Sequence, residues 1–294
     1  MTEIFGYPLP VILGQLMLGL VNGSFYAMLS LGLAVIFGLL GVVNFAHGAF
    51  YMLGAFAAYI ALEKTGLNYW FALVLSPLVV GAFGIVLERF LFKPIYKLDP
   101  LYGLLLTFGL ALIFEGLMRY QYGSSGNGYP VPDALQGVFN LGFMILPIYR
   151  AWVIAASLVI CFTTWFVIER TSLGATLRAA TENPRLVQAF GINVPVMVTL
   201  TYGAGVALAA LAGVLSAPVV QVSPLMGSSL VVVVFAVVVI GGMGSIFGAI
   251  VSGLALGMVE GFTKVIYPEA SNIVVFVIMA IVLVLRPAGL FGKE

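Results

Sequence analysis

No charged residue lies between Glu3 and Glu63, and none between Arg185 and Glu260. A chain in water cannot cover stretches of this length without charge. A membrane span needs only about 20 mainly apolar residues to cross about 30 Å of hydrocarbon. The first gap therefore holds two or three passes and the second about three. Continuous apolar runs such as 231–240 do not alternate with polar residues, as the strands of a membrane barrel would. Helices, which satisfy their own backbone polar groups, are the remaining way to cross lipid.

Composition narrows the class further. Of 294 residues, 62% are apolar and 8% charged, and mean hydropathy is +1.17. Soluble domains run near 25% charged. Twelve Lys or Arg against eleven Asp or Glu give a formal charge of +1. A nucleic-acid binder with a basic face is excluded, as is a disordered chain. The single cysteine excludes a disulfide framework and an all-cysteine metal site. The expectation is an all-α polytopic membrane protein of about 8–10 transmembrane helices, some of them broken, forming one domain over 1–294.

Apolar segments predict spans near 10–38, 48–62, 70–92, 101–119, 150–168, 196–216, 228–242, 246–262 and 272–286. The first is long enough to be two short pieces. Glu3 and the absence of an early basic residue do not fit a cleavable signal peptide, so the first apolar stretch is expected to remain. Lys and Arg mark the cytoplasmic loops. Arg89, Lys93 and Lys97 form one basic group, Arg170, Arg178 and Arg185 another, and Arg286 with Lys293 a third. These place the C-terminus inside, while the side of the N-terminus stays open. Glu88, Glu115 and Glu260 fall near span ends, beside Arg89, Arg119 and Lys264. Carboxylates deep in spans, which proton-coupled transport favours, are nearly absent.

Three segments depart from plain spans. Residues 121–149 form the longest connection on the outer side. They include a Gly-Ser-rich turn cluster at 123–130 and an apolar stretch at 138–148. They read as a surface loop or as a docking surface for an extracytoplasmic partner. Residues 169–193 are the most polar stretch and hold five charges, Glu169, Arg170, Arg178, Glu182 and Arg185. They read as two short helices, the first capped by Thr171 or Ser172 and the second by Asn183 followed by Pro184. Gly191 closes the second helix. The pair suits either the membrane surface or contact with a cytosolic subunit. Finally, Asn44-Phe45-Ala46-His47-Gly48 interrupts the first apolar region. His47 is the sole histidine, so a multi-histidine metal site is excluded. Non-helical backbone here would be tolerated where it is buried or lines a cavity, as in the broken helices of transporters. Gly241-Gly242-Met243-Gly244-Ser245 reads as a tight turn between helices, since no lysine follows as in a phosphate-binding loop.

Together these motifs resemble the membrane permease subunit of branched-chain amino-acid ABC importers, over nearly the whole chain. The residues that carry the likeness are Gly41 with 44–48; Arg170-Thr171, Gly174, Arg178-Ala179, Asn183, Ala189 and Gly191-Ile192; and 241–245 with Gly248. The resemblance implies the ABC importer permease fold, in the cytoplasmic membrane of a bacterium or archaeon. It implies a non-catalytic, cofactor-free subunit working with a second related permease, two cytosolic ATPases and an extracytoplasmic solute-binding protein. Branched-chain amino acids are the first expected substrate; urea, amides or other small solutes are the alternative within the class. An ion-coupled secondary transporter and a non-transporting scaffold are alternatives outside it. The implied substrate pathway runs near Asn44, His47, Gly48, Gly241, Gly242 and Gly244. The implied ATPase-coupling residues are Arg170, Thr171, Gly174, Arg178, Glu182, Asn183, Arg185 and Gly191, within a cytoplasmic coupling segment at 169–193.

Overall fold

The computed structural model describes residues 3–4, 6–41, 44–96 and 98–292. Lys97 and Lys293, two of the charges used to assign sides, lie outside these. The fold is all-α and polytopic, and each of the nine expected apolar segments is a helix. These are α1 (Leu9–Leu40), α2 (Ala46–Thr65), α3 (Tyr69–Leu87), α4 (Pro100–Tyr122), α5 (Ile148–Arg170), α8 (Val194–Ser216), α9 (Met226–Gly241), α10 (Ile246–Ile266) and α11 (Val274–Leu285). The polar segment folds as α6 (Ser172–Glu182) and α7 (Pro184–Ala189). Among the described residues, six helical stretches are long and apolar enough to cross a membrane. At 1.5 Å per residue, α9 is about 24 Å long and α11 about 18 Å, short of the hydrocarbon thickness.

The first apolar stretch is one helix rather than two pieces. Proline occurs only in its first turn, where it is tolerated, and the helix runs 32 residues before Gly41 ends it in a left-handed conformation (φ 63°). Its interior glycines serve contact rather than bending. Gly19 and Gly23 lie against Gly257 and Leu254 of α10, and a Cβ at either position would meet α10 backbone. This small-residue packing makes α1 the buried axis of the bundle.

Contacts sort the helix termini into two ends. At one end the Tyr149 hydroxyl donates to Tyr69 Oη at 3.0 Å and lies 2.9 Å from the Leu215 carbonyl, and Trp152 Nε1 donates to Tyr69 Oη at 3.1 Å. The connection 123–147 caps this end. Its Asn127 pairs with Val222 through two backbone bonds of 2.8 and 2.9 Å. Val138–Asn140 (β3) and Ile145–Pro147 (β4) form an antiparallel hairpin there. The hairpin falls in the apolar stretch 138–148 of the expected outer connection. Burial pushes the Tyr129 phenol in this loop up to about 12, with Tyr69 nearby as a smaller cause, so it stays protonated. At the other end Gly38 packs on Gly244, and the tail returns so that Leu290 N–H donates to the Ile240 carbonyl at 2.8 Å. The α6–α7 pair lies at this second end. Because α1 crosses once, its N-terminus shares the end of the 123–147 connection.

Candidate functional site

The chain does not stay at the second end between α1 and α2. Gly41 lies at that end and Asn44 inside the bundle. Asn44 is buried and its Nδ2 donates to Tyr202 Oη at 3.1 Å. Phe45 N–H donates to Thr107 Oγ1 at 3.2 Å, and its ring stacks on Phe235 with centroids 5.8 Å apart. Tyr202 and Thr107 lie seven or eight residues inside α8 and α4, so α2 begins roughly 10 Å within the bundle. His47 is fully buried, and its Nε2 donates to the Leu29 carbonyl of α1 at 3.0 Å. Its Nδ1 has no partner among the described residues.

Gly48, one residue on, touches Gly227 at the start of α9, and a Cβ on either would strike the other's carbonyl. A second break, 217–225, descends from the first end to this point, so α2 and α9 both start inside the protein. Broken helices of this kind place free backbone N–H groups away from the membrane surfaces. A cleft of about 170 Å³ lies beside the contact, bounded by Phe45 just before α2, Met52 of α2, Phe108 and Glu115 of α4, and Ser228 of α9. Glu115 is paired with Arg119 at 2.7 Å, four residues on along the same helix face.

Gly241, Gly242 and Gly244 form the α9–α10 turn at the second end. Gly242 (φ 101°) and Gly244 (φ 86°) hold conformations that other residues avoid. Ser245 Oγ caps α10 by accepting from Gly248 N–H at 3.1 Å. These glycines pack against the 289–292 tail and Gly38, and none of them borders the cleft near Gly48.

The 169–193 segment folds as the expected helix pair with one local difference. Thr171 occupies the cap position of α6, yet its hydroxyl turns back to the Val167 carbonyl of α5, and no side-chain cap forms. A hydroxyl on an adjoining helix end finds a nearer acceptor in the preceding turn. Asn183 does cap α7, its Oδ1 accepting from Leu186 N–H at 3.0 Å, and Gly191 (φ 81°) follows in the left-handed conformation. The Arg178 guanidinium donates to the Ile168 carbonyl and lies 3.5 Å from Glu169. Gly174 sits so close to Ile168 that a methyl would overlap that carbonyl group. Arg170 stacks over Trp165 at 5.7 Å, while Glu182 and Arg185 face outward. Val187 is buried with Ala180 and Val194, and Leu173, Leu186 and Phe190 remain exposed.

Two polar clusters were not legible as such. Glu88 does not pair with Arg89. It is buried and accepts from Tyr96 at 2.8 Å and Thr199 at 2.6 Å, tying α3 to α8. Burial and this bond raise the Tyr96 phenol. Glu260 pairs with Lys264 at 2.5 Å, as their spacing suggested, but it also accepts from Tyr26 of α1 at 2.7 Å. No local signal marks Tyr26 or Tyr202, because their partners are 234 and 158 residues away.

Similarity to known proteins agrees with this architecture. The chain is 30% identical to the high-affinity branched-chain amino acid transport system permease protein BraD of Pseudomonas aeruginosa, over all of this chain and 98% of the relative. It is 28% identical to the corresponding permease protein LivH of Escherichia coli, again over 100% and 98%. It is also 27% identical to permease protein LivM of the same organism, over 90% of this chain and 67% of that one. No solved structure matches the chain. Residues 15–283 match the family described as branched-chain amino acid transport system, permease component, and with a continuous buried α1, two internally starting helices and a polar helix pair at one end, the chain belongs to that family of multi-pass membrane permeases.

Proposed function

We propose that this chain is one permease subunit of an ATP-driven importer of leucine, isoleucine and valine, performing no covalent chemistry itself. The observation that carries the reading is the α6–α7 pair. It is polar, sits at one end of the bundle, and presents Leu173, Leu186 and Phe190 outward at 68%, 54% and 77% exposure. Apolar side chains projecting from a charged helix pair suit a protein partner. In this reading two cytosolic ATPases grip 169–193, and a second permease related to this one completes the pathway. An extracytoplasmic binding protein docks at the end that carries 121–149.

The side assignment rests on positive charge. Arg89, Lys93, Arg170, Arg178 and Arg185 gather at the α6–α7 end, which is then cytoplasmic, together with the C-terminus. ATP-driven closure of the ATPases moves α6 and α7. Arg178 and the close Gly174–Ile168 contact pass that motion into α5, while Thr171, Glu182, Asn183, Arg185 and Gly191 shape the docking face. The substrate passes the internal starts of α2 and α9, near Asn44, His47 and Gly48. Gly241, Gly242 and Gly244 contribute as the turn on which α9 pivots.

Co-purification tests the docking face. Leu186→Asp with Phe190→Asp is expected to release the ATPase subunits while the permease pair stays assembled. Undiminished ATPase attachment in that variant contradicts the reading.

A further inference from the structure

A second cavity, of about 230 Å³, lies beside the first turns of α9 next to the cleft near Gly48, and Val232 borders both. Its lining includes polar groups: the buried Glu260 carboxylate with the Tyr26 hydroxyl, and Ser229, Ser271 and Asn272. Aliphatic and aromatic groups line it as well, among them Val233, Val275 and Phe276. At about 30 Å³ per water it has room for roughly eight waters, or for one small amphipathic molecule.

The charge arrangement selects the ligand class. Lys264 lies 2.5 Å from Glu260 Oε1 and neutralises the carboxylate, so the cavity is not a sink for a free cation. Tyr26 donates to Oε2 at 2.7 Å. Each carboxylate oxygen can accept more than one hydrogen bond, so both retain capacity for an ammonium group. Asn272, exposed at the rim, offers an amide donor to an anion, since the Ser271 hydroxyl already donates to the Pro268 carbonyl at 2.7 Å. An overall neutral pocket with an acceptor, a donor and an apolar wall matches a neutral molecule with separated charges and an aliphatic tail.

We propose that this cavity binds aliphatic amino-acid zwitterions with about millimolar affinity, the ammonium on Glu260, the carboxylate toward Asn272 and the side chain against Val275 and Phe276. The proposal deepens the transport reading and rests on it. Glu260 lies in the last two turns of α10, at the end opposite α6–α7, so the cavity is a receiving station for substrate entering from the outer side. Weak binding suits a station that must release its cargo inward.

The test uses the assembled permease–ATPase complex in lipid nanodiscs, without binding protein, titrated with radiolabelled leucine. Leucinamide, which lacks the carboxylate, and 4-methylpentanoate, which lacks the amine, serve as competitors. Saturable leucine binding is expected, with both competitors about tenfold weaker or more. Glu260→Gln should weaken leucine about tenfold. Phe276→Trp should reduce binding by filling the cavity while leaving the ion pair intact, which keeps the test open if Glu260→Gln fails to assemble. Absence of saturable binding overturns the proposal, as does unchanged leucine affinity in assembled Phe276→Trp complexes. ATP-dependent leucine uptake by the wild-type complex is scored separately. Uptake without cavity binding removes this inference alone; no leucine uptake removes the transport reading as well.

Discussion

Gly174→Ala perturbs the junction between α5 and α6 at its closest point. The added methyl would overlap the Ile168 carbonyl, which also accepts from Arg178. Overpacking of this kind costs about 1–3 kcal/mol. A hydrogen bond from a charged group contributes about 1.5–3 kcal/mol, but Arg178 is 43% exposed and solvent screens it, so about 1 kcal/mol is the appropriate share. Together the substitution weakens docking of α6 on α5 by about 3 kcal/mol, a shift of roughly a hundredfold toward the undocked arrangement. Two assays read this. Amide hydrogen exchange over 172–182 should accelerate in the purified complex. In the reconstituted importer, substrate moved per ATP hydrolysed should fall while ATP hydrolysis itself persists. Unchanged exchange and unchanged coupling would show that α6 is not held rigidly to α5, and the mechanical path through Ile168 would be refuted.

Two further substitutions probe other points. Gly191→Ala meets no neighbouring atom, so its cost is backbone strain alone, about 1 kcal/mol, and Gly191→Asn should cost less; equal thermal unfolding midpoints for all three proteins would contradict the assigned left-handed turn. His47→Ala empties a fully buried position and removes the bond to the Leu29 carbonyl, so the unfolding midpoint should drop in line with a loss of about 2–4 kcal/mol, and uptake should fall in complexes that still assemble; unchanged uptake in assembled complexes would reduce His47 to a packing role.

Much of the fold was legible because the bilayer leaves few choices. Charge gaps and apolar run lengths located every helix longer than eleven residues, since a span must be both apolar and hydrogen-bonded within itself. Gly191 as a helix-closing residue and Gly242 and Gly244 as a tight turn were legible from sequence, and each adopts a positive φ. The 138–147 hairpin was not, since two three-residue strands of apolar composition look like interfacial chain. The unity of α1 was hidden for a related reason: glycines that could break a helix in water here let α10 approach. Asn44 and His47 stood out as polar residues in an apolar region, but their partners Tyr202 and Leu29 follow only from helix packing. The same holds for Tyr26 against Glu260, where the partner is supplied by a helix at the other end of the chain.

The central proposal is ATP-powered movement of branched-chain amino acids through this chain. It is tested most directly by uptake into vesicles carrying the complete complex, with binding protein outside and ATP inside. Leucine, isoleucine and valine are measured beside amides and urea. The expected result is saturable uptake of the three amino acids that requires both ATP and the ATPase subunits, with little movement of urea or amides. Uptake by the permease alone on an ion gradient, or ATP-dependent movement of urea or amides in preference to leucine, would contradict it.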